Sequence, residues 1–268
     1  MTFTPVIPFS GLQGWTFLSK SIDSQRESLI NSSEAKRESE AFRQKIGRIK
    51  SAEELVGDRE LLSVTLTAFG LEADIDNVFL IKKVLEDGTL SPDALANRFS
   101  DKRYLSLSKA FGFGDFDVPR TQLSDFPDEI LSAYNTRKFE VAVGEQSQDL
   151  RLALSFDREI LDIVDMGGSD TVKWLEVLGN APLKSMVERS LFLTSNFGNL
   201  PIDKQITILK EKSNSRFGVY DFESFRDPDV RGKLRVNFLL ASQITEGGGL
   251  SSASTALSLL QGSTTLRF

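Results

Sequence analysis

"LTAFGLEADID" runs from Leu66 to Asp76, and "LTSNFGNLPID", from Leu193 to Asp203, repeats much of it. Upstream of the first, in "GDRELLSVTLTAFG", Leu61, Leu62, Thr65, Leu66 and Phe69 recur at three- and four-residue spacing, which marks one face of a helix. Asp58 stands where an N-cap belongs. Gly70 follows the last apolar position, where a left-handed residue closes a helix without a Cβ penalty. Beyond Glu72-Ala73-Asp74, Asp76 is placed to cap a second helix, "NVFLIKKVLEDG", with Ile75 stapled against Leu80 and Gly88 at its end. The phrase is a helix–loop–helix joint, and it sets the expected fold class as all-α and multi-helical.

Working outward, "SPDALANRFS" offers Ser91 as N-cap and Pro92 at the first helical position, where a missing N–H costs nothing. Asp101 is the expected cap of "DKRYLSLSKAFG", in which Tyr104, Leu107 and Phe111 share a face before Gly112. Aligned with itself, the chain pairs Phe69-Gly70 with Phe197-Gly198, Ile75-Asp76 with Ile202-Asp203, and Phe99-Ser100-Asp101 with Phe225-Arg226-Asp227. Asp227-Pro228 repeats the cap-plus-proline grammar, Val230, Leu234 and Phe238 parallel Tyr104, Leu107 and Phe111, and Trp174 takes the place of Phe42. These matches predict a diverged tandem duplication of a short-helix unit. The expected organisation is an irregular segment over 1–14, a first copy over 15–116, a connector over 117–149, a second copy over 150–245, and a Gly/Ser-rich tail with a short helix over 246–268. The tail carries a small apolar stripe of Leu250, Ala253, Leu257 and Leu260.

The connector region reads two ways. Ile130, Tyr134 and Val141, then Leu150, Leu154, Leu161 and Val164, fit two helices broken at Gly144. "FEVAV" (Phe139–Val143) and the alternating run over Leu150–Phe156 would also suit a hairpin. Helical spacing on both flanks favours the helices.

Composition removes whole classes of chemistry. No cysteine and no histidine occur in the 268 residues, which excludes thiolate nucleophiles, disulfides, the Ser-His-Asp triad and the commonest metal ligand. With 32 basic against 38 acidic residues, the net charge of -6 argues against nucleic acid and anionic membrane as partners. No apolar run is long enough to span a bilayer, and the first lysine, Lys20, comes after the apolar start, unlike a Sec signal peptide.

Paired aspartates invite a metal or acid–base reading: Asp74 with Asp76, Asp115 with Asp117, Asp162 with Asp165. None has calcium-loop spacing, and Asp76, Asp101 and Asp227 stand at expected caps. "FGFGDF", Phe111–Phe116, reads as core and turn, since Gly112 and Gly114 lack the rest of a dinucleotide fingerprint. No catalytic, cofactor-binding or metal-ligating residue is therefore expected. The candidate interaction surface is the charge cluster Arg137, Lys138, Glu140, Glu145 and Arg151.

"LVGDRELLSVTLTAFGLEADIDNVFLIKKVLEDGTLSPDALANRFSDKRYLSLSKAFGFG", "YNTRKFEVAVGEQSQDLRLALSFDREI" and their tandem arrangement resemble a bacterial domain family of unknown function, found in flagellated alphaproteobacteria and often encoded beside flagellar genes. The resemblance supplies no catalytic residues. It implies a non-enzymatic helical binding protein, an accessory or assembly factor of the flagellum, in the cytoplasm or at the basal body, with flagellar or other bacterial proteins as partners. The alternative is an exported structural subunit of the axial structure, against which the ends lack sustained apolar heptads.

Overall fold

The computed structural model describes residues 3–246, so the stripe Leu250, Ala253, Leu257 and Leu260 lies outside the described residues. Among those described, there are thirteen α-helices and four short 3₁₀ helices, with no strand. Two compact units divide them. One comprises the chain up to Val6 with Lys20–Gln146, the other Ile7–Ser19 with the chain from Ser147 onward. This division differs from the segments read off the sequence, because residues 117–146 belong with the first unit and part of the N-terminal region with the second.

Helix α1 (Gly11–Ile30) begins within the segment expected to be irregular and contributes its second half to the first unit, followed by α2 (Ser33–Ile46), α3 (Ala52–Gly57) and α4 (Arg59–Phe69). Then come α5 (Val78–Asp87), α6 (Leu95–Arg98), α7 (Arg103–Phe111) and α8 (Phe126–Gln146). α4 is the pillar of this unit. Leu61, Leu62, Val64, Thr65, Leu66 and Ala68 are all buried, a spread wider than one stripe, so the helix is covered by α2, α3, α7 and α8. Around it, Phe42, Ile81, Leu107 and Phe111 are essentially inaccessible, and Phe111 meets the edge of Phe126 at 5.0 Å. Each such side chain contributes about 1.5–3 kcal/mol by leaving water.

The caps explain where these helices stop. Asp58 accepts the N–H groups of Glu60 and Leu61 at 3.0 and 3.1 Å, and Gly70 closes α4 at φ 71. Asp76, however, does not cap α5; Asn77 holds that place without a side-chain bond, and Asp76 turns outward to Arg59 at 2.9 Å. Ser91 and Pro92 form a turn rather than a helix start: Ala94 N–H donates to the Ser91 carbonyl, and α6 begins only at Leu95. Asp101 acts one residue early, accepting Arg103 N–H at 3.0 Å, and Gly112 ends α7 at φ 66.

In the second unit lie α9 (Gln148–Asp165), α10 (Asp170–Gly179), α11 (Ala181–Ser190), α12 (Ile202–Phe217) and α13 (Pro228–Glu246). Both ambiguous segments are helical. The break between α8 and α9 falls at Ser147, whose hydroxyl accepts Leu150 N–H, while Gly144 is buried inside α8. Trp174 anchors the core with the edges of Phe222 and Phe225 at 5.3 and 6.0 Å. Asp157 on α9 joins α13 through Arg231 at 3.2 Å and through Arg235, whose guanidinium lies 4.6 Å from the Trp15 ring. Pro228 opens α13 as expected, with Asp227 accepting Asp229 N–H at 2.9 Å. Gly198 does not end a helix and is not left-handed: α11 has already closed at Phe192, with φ 52, and Gly198 lies in the 3₁₀ turn Ser195–Asn199.

Candidate interaction surface

The charge cluster expected to form a surface patch is divided. Arg137, Lys138, Glu140 and Glu145 lie on α8 in the first unit, Arg151 on α9 in the second. Glu140 is buried and Glu145 exposed, with Arg137, Lys138 and Arg151 between. The cluster is no single solvated face. Lys138 is held by Glu38 and, at 3.5 Å, by Glu34, while the Tyr134 hydroxyl donates to Glu38 at 2.6 Å. Burial first, and then the Glu38 carboxylate, push the Tyr134 hydroxyl far above the usual phenol range, so it remains a donor at any physiological pH. Lys138 and Glu145, with Glu34, Phe3 and Val141, line a cleft of about 130 Å³. Arg137 lies against Gly70, where any Cβ would strike its guanidinium.

Of the paired aspartates, Asp74, Asp115 and Asp165 serve the fold. Asp74 accepts the Tyr104 hydroxyl at 2.7 Å, and burial together with that bond raises the phenol to about 12. Asp165 pairs with Arg226 at 2.8 Å. Asp115 is the most heavily used: it accepts Thr89 N–H at 2.6 Å, Leu90 N–H at 3.1 Å and the Thr89 hydroxyl at 2.8 Å. Gly88, at φ 66, and Gly114 bring two backbones together so closely that a Cβ on either would meet the other's main chain. "FGFGDF" is thereby explained, with Phe111 in the core, Phe113 against it, Gly112 ending α7, and Gly114 and Asp115 locking the loop that begins at Gly88. Among the described residues, no group of three or more acidic side chains stands together in a way that could hold a metal ion.

This lock displays apolar surface. Leu90 is 74% exposed and Phe116 55%, and they flank the Asp115 latch on its two strands of chain; Val118 follows at 68%. In the sequence these residues are obscured by Ser91-Pro92, which reads as a helix start and puts Leu90 just outside a cap rather than on a pinned loop. An apolar residue set between Gly88-Thr89 and Ser91-Pro92 was the available signal.

Fold and surface together define an all-α protein of two helical units, whose charged groups are largely engaged in caps, latches and ion pairs. The chain belongs to the family described as "Protein of unknown function (DUF1217)", which matches residues 68–230, from the last turn of α4 to the first turn of α13. The fold is similar to that of the X-ray crystal structure of protein AGR_C_984 from Agrobacterium tumefaciens, with a TM-score of 0.72 and 24% identity over 90% of this chain and 99% of that one. No match was found among curated proteins.

Proposed function

We propose that this protein is a non-enzymatic helical binding protein that acts as an accessory or assembly factor of the bacterial flagellum. The observation that carries the binding reading is the pinned apolar pair Leu90 and Phe116. Five hydrogen bonds converge on their loop, three to Asp115 and two from Asn97 Nδ2 to the Thr89 and Ser91 carbonyls. The fixed backbone presents Leu90 and Phe116, with Val118 following, already ordered, so a partner that covers them removes apolar surface from water at little ordering cost. The flagellar context rests on the resemblance carried by the first copy and the connector, and the acidic net charge of -6 supports protein rather than nucleic acid as partner.

Deleting the gene in the parent bacterium tests this. Swimming or filament number should fall, the intact gene should restore it, and Leu90→Asp with Phe116→Asp should not, although the variant folds. Normal swimming in the deletion strain, with no second copy present, overturns the flagellar reading. Recovery of the chain from shed filaments rather than cytosol or basal bodies would instead establish the exported-subunit alternative.

A further inference from the structure

Phe192 closes α11 with the backbone bonds that Gly70 gives α4. Phe192 N–H donates to Arg189 O and Leu193 N–H to Glu188 O, both at 3.0 Å; Gly70 N–H donates to Thr67 O at 3.0 Å and Leu71 N–H to Leu66 O at 2.8 Å. Glycine makes this cap without strain, whereas a phenylalanine at φ 52 does not. The ring does not repay this by full burial, since it is 40% exposed. Backbone strain beyond what the fold needs collects at functional positions.

That ring opens onto a groove of about 310 Å³ lined chiefly by Phe192, Leu193, Phe197, Leu200, Ile208 and Lys212. Along the α12 wall, Lys204, Ile208, Lys212 and Arg216 follow one another every four residues, in a single row. Ile208 is half-buried, the three cations are exposed, and the Arg216 guanidinium lies 4.9 Å from the Phe192 ring. Among the described residues, none of these cations has a carboxylate partner, and no acidic side chain lines the groove. Lys212 and Arg216 are like charges four residues apart, a spacing that weakens a helix slightly, and an anion meeting them would relieve it.

We infer that this groove binds an acidic amphipathic helical segment of a partner protein. Its apolar face would enter between Phe192, Phe197 and Ile208, and its carboxylates would meet Lys212, Arg216 and Lys204. The inference rests on the binding reading above and gives it a second, chemically defined surface.

A photoreactive amino acid placed at exposed Thr194 on the groove, and separately at Leu90 on the latched loop of the other unit, tests this in the parent bacterium, with captured peptides sequenced. From Thr194, the expected catch is a helix-patterned segment with Asp or Glu beside its apolar positions. Lys212→Glu with Arg216→Glu should reduce that catch roughly tenfold, as should raised salt, while leaving the circular dichroism unchanged. A captured segment without carboxylates, a catch indifferent to the charge reversal, or cross-linking only to this chain's own residues beyond Glu246 overturns the proposal. Capture from Leu90 alone also overturns it but leaves the binding reading standing; capture from neither position removes both.

Discussion

Gly70 and Gly218 are both left-handed, at φ 71 and 77, yet their surroundings differ: a Cβ on Gly70 would strike the Arg137 guanidinium, whereas nothing lies within 4 Å of one on Gly218. Gly218→Ala should therefore cost only the backbone penalty, about 1 kcal/mol, and Gly70→Ala about 2 kcal/mol because Arg137 must also move. Urea unfolding of the two variants checks the order, and equal midpoints would remove Arg137 from the account. Asp58 makes a pH-dependent contribution. Burial opposes its charge, but the Leu61 N–H, the Lys45 ammonium and the Glu60 N–H outweigh it and hold the carboxyl below its ordinary 3.8. A depressed folded value means that the stabilisation is complete above the ordinary value and disappears as pH falls through the folded one. Asp58→Ala should cost about 1 kcal/mol at neutral pH, and its denaturant midpoint should converge on that of the wild type as pH falls below about 4. The Asp58–Gly70 pair was legible in sequence because an N-cap and a left-handed glycine are local signals. Phe192 was not legible: nothing in its residue type announces a left-handed cap, so the self-alignment placed the second joint at Gly198, six residues too late.

At the level of elements, helix existence was readable and helix starts often were not. α8 and α9 follow the three- and four-residue spacing of Ile130, Tyr134, Leu150 and Leu154, but Ser147 rather than Gly144 divides them, because a buried glycine can continue a helix that its neighbours pack. α6 starts late for a tertiary reason. Thr89 and Leu90 are held by Asp115, twenty-five or more residues away, and that long-range latch decides the course of the loop before Ser91 can act as a cap. Asp115→Ala leaves two amide hydrogens and a hydroxyl without their acceptor, at a cost of about 2 kcal/mol. Amide hydrogen exchange should accelerate first at Thr89 and Leu90; uniform acceleration across the first unit would mean that the latch supports the whole unit rather than this loop. The sequence of elements also recurs. α4, a 3₁₀ turn, α5, α6 and α7 run in an order similar to α11, a 3₁₀ turn, α12, the 3₁₀ turn Phe222–Arg226 and α13, with a 3₁₀ turn standing where the first unit has the short helix α6.

For the whole molecule, the lesson is that compact units need not be continuous in sequence. Ile7–Ser19 is grouped with the chain from Ser147 onward, and the reasons are specific: Trp15 lies under Arg235, a Cβ on Gly14 would press on Leu150, and Gly11 sits against Gln243. No local pattern in "IPFSGLQGWTFLS" reveals partners more than a hundred residues downstream, which is why that stretch was divided between an irregular segment and a first copy. A chain beginning at Ser147 should therefore fold poorly, because Leu150 and the apolar stem of Arg235 lose their cover, and buried apolar surface is the main term holding a small helical unit together. Adding a synthetic peptide of residues 7–19 should raise both its helical circular dichroism and its melting temperature in a concentration-dependent way, as expected when a ligand binds only the folded state. A Trp15→Ala peptide should do so much less. If the fragment from Ser147 melts cooperatively at the temperature of the full chain without any peptide, the N-terminal stretch is an ornament to the second unit rather than part of its core.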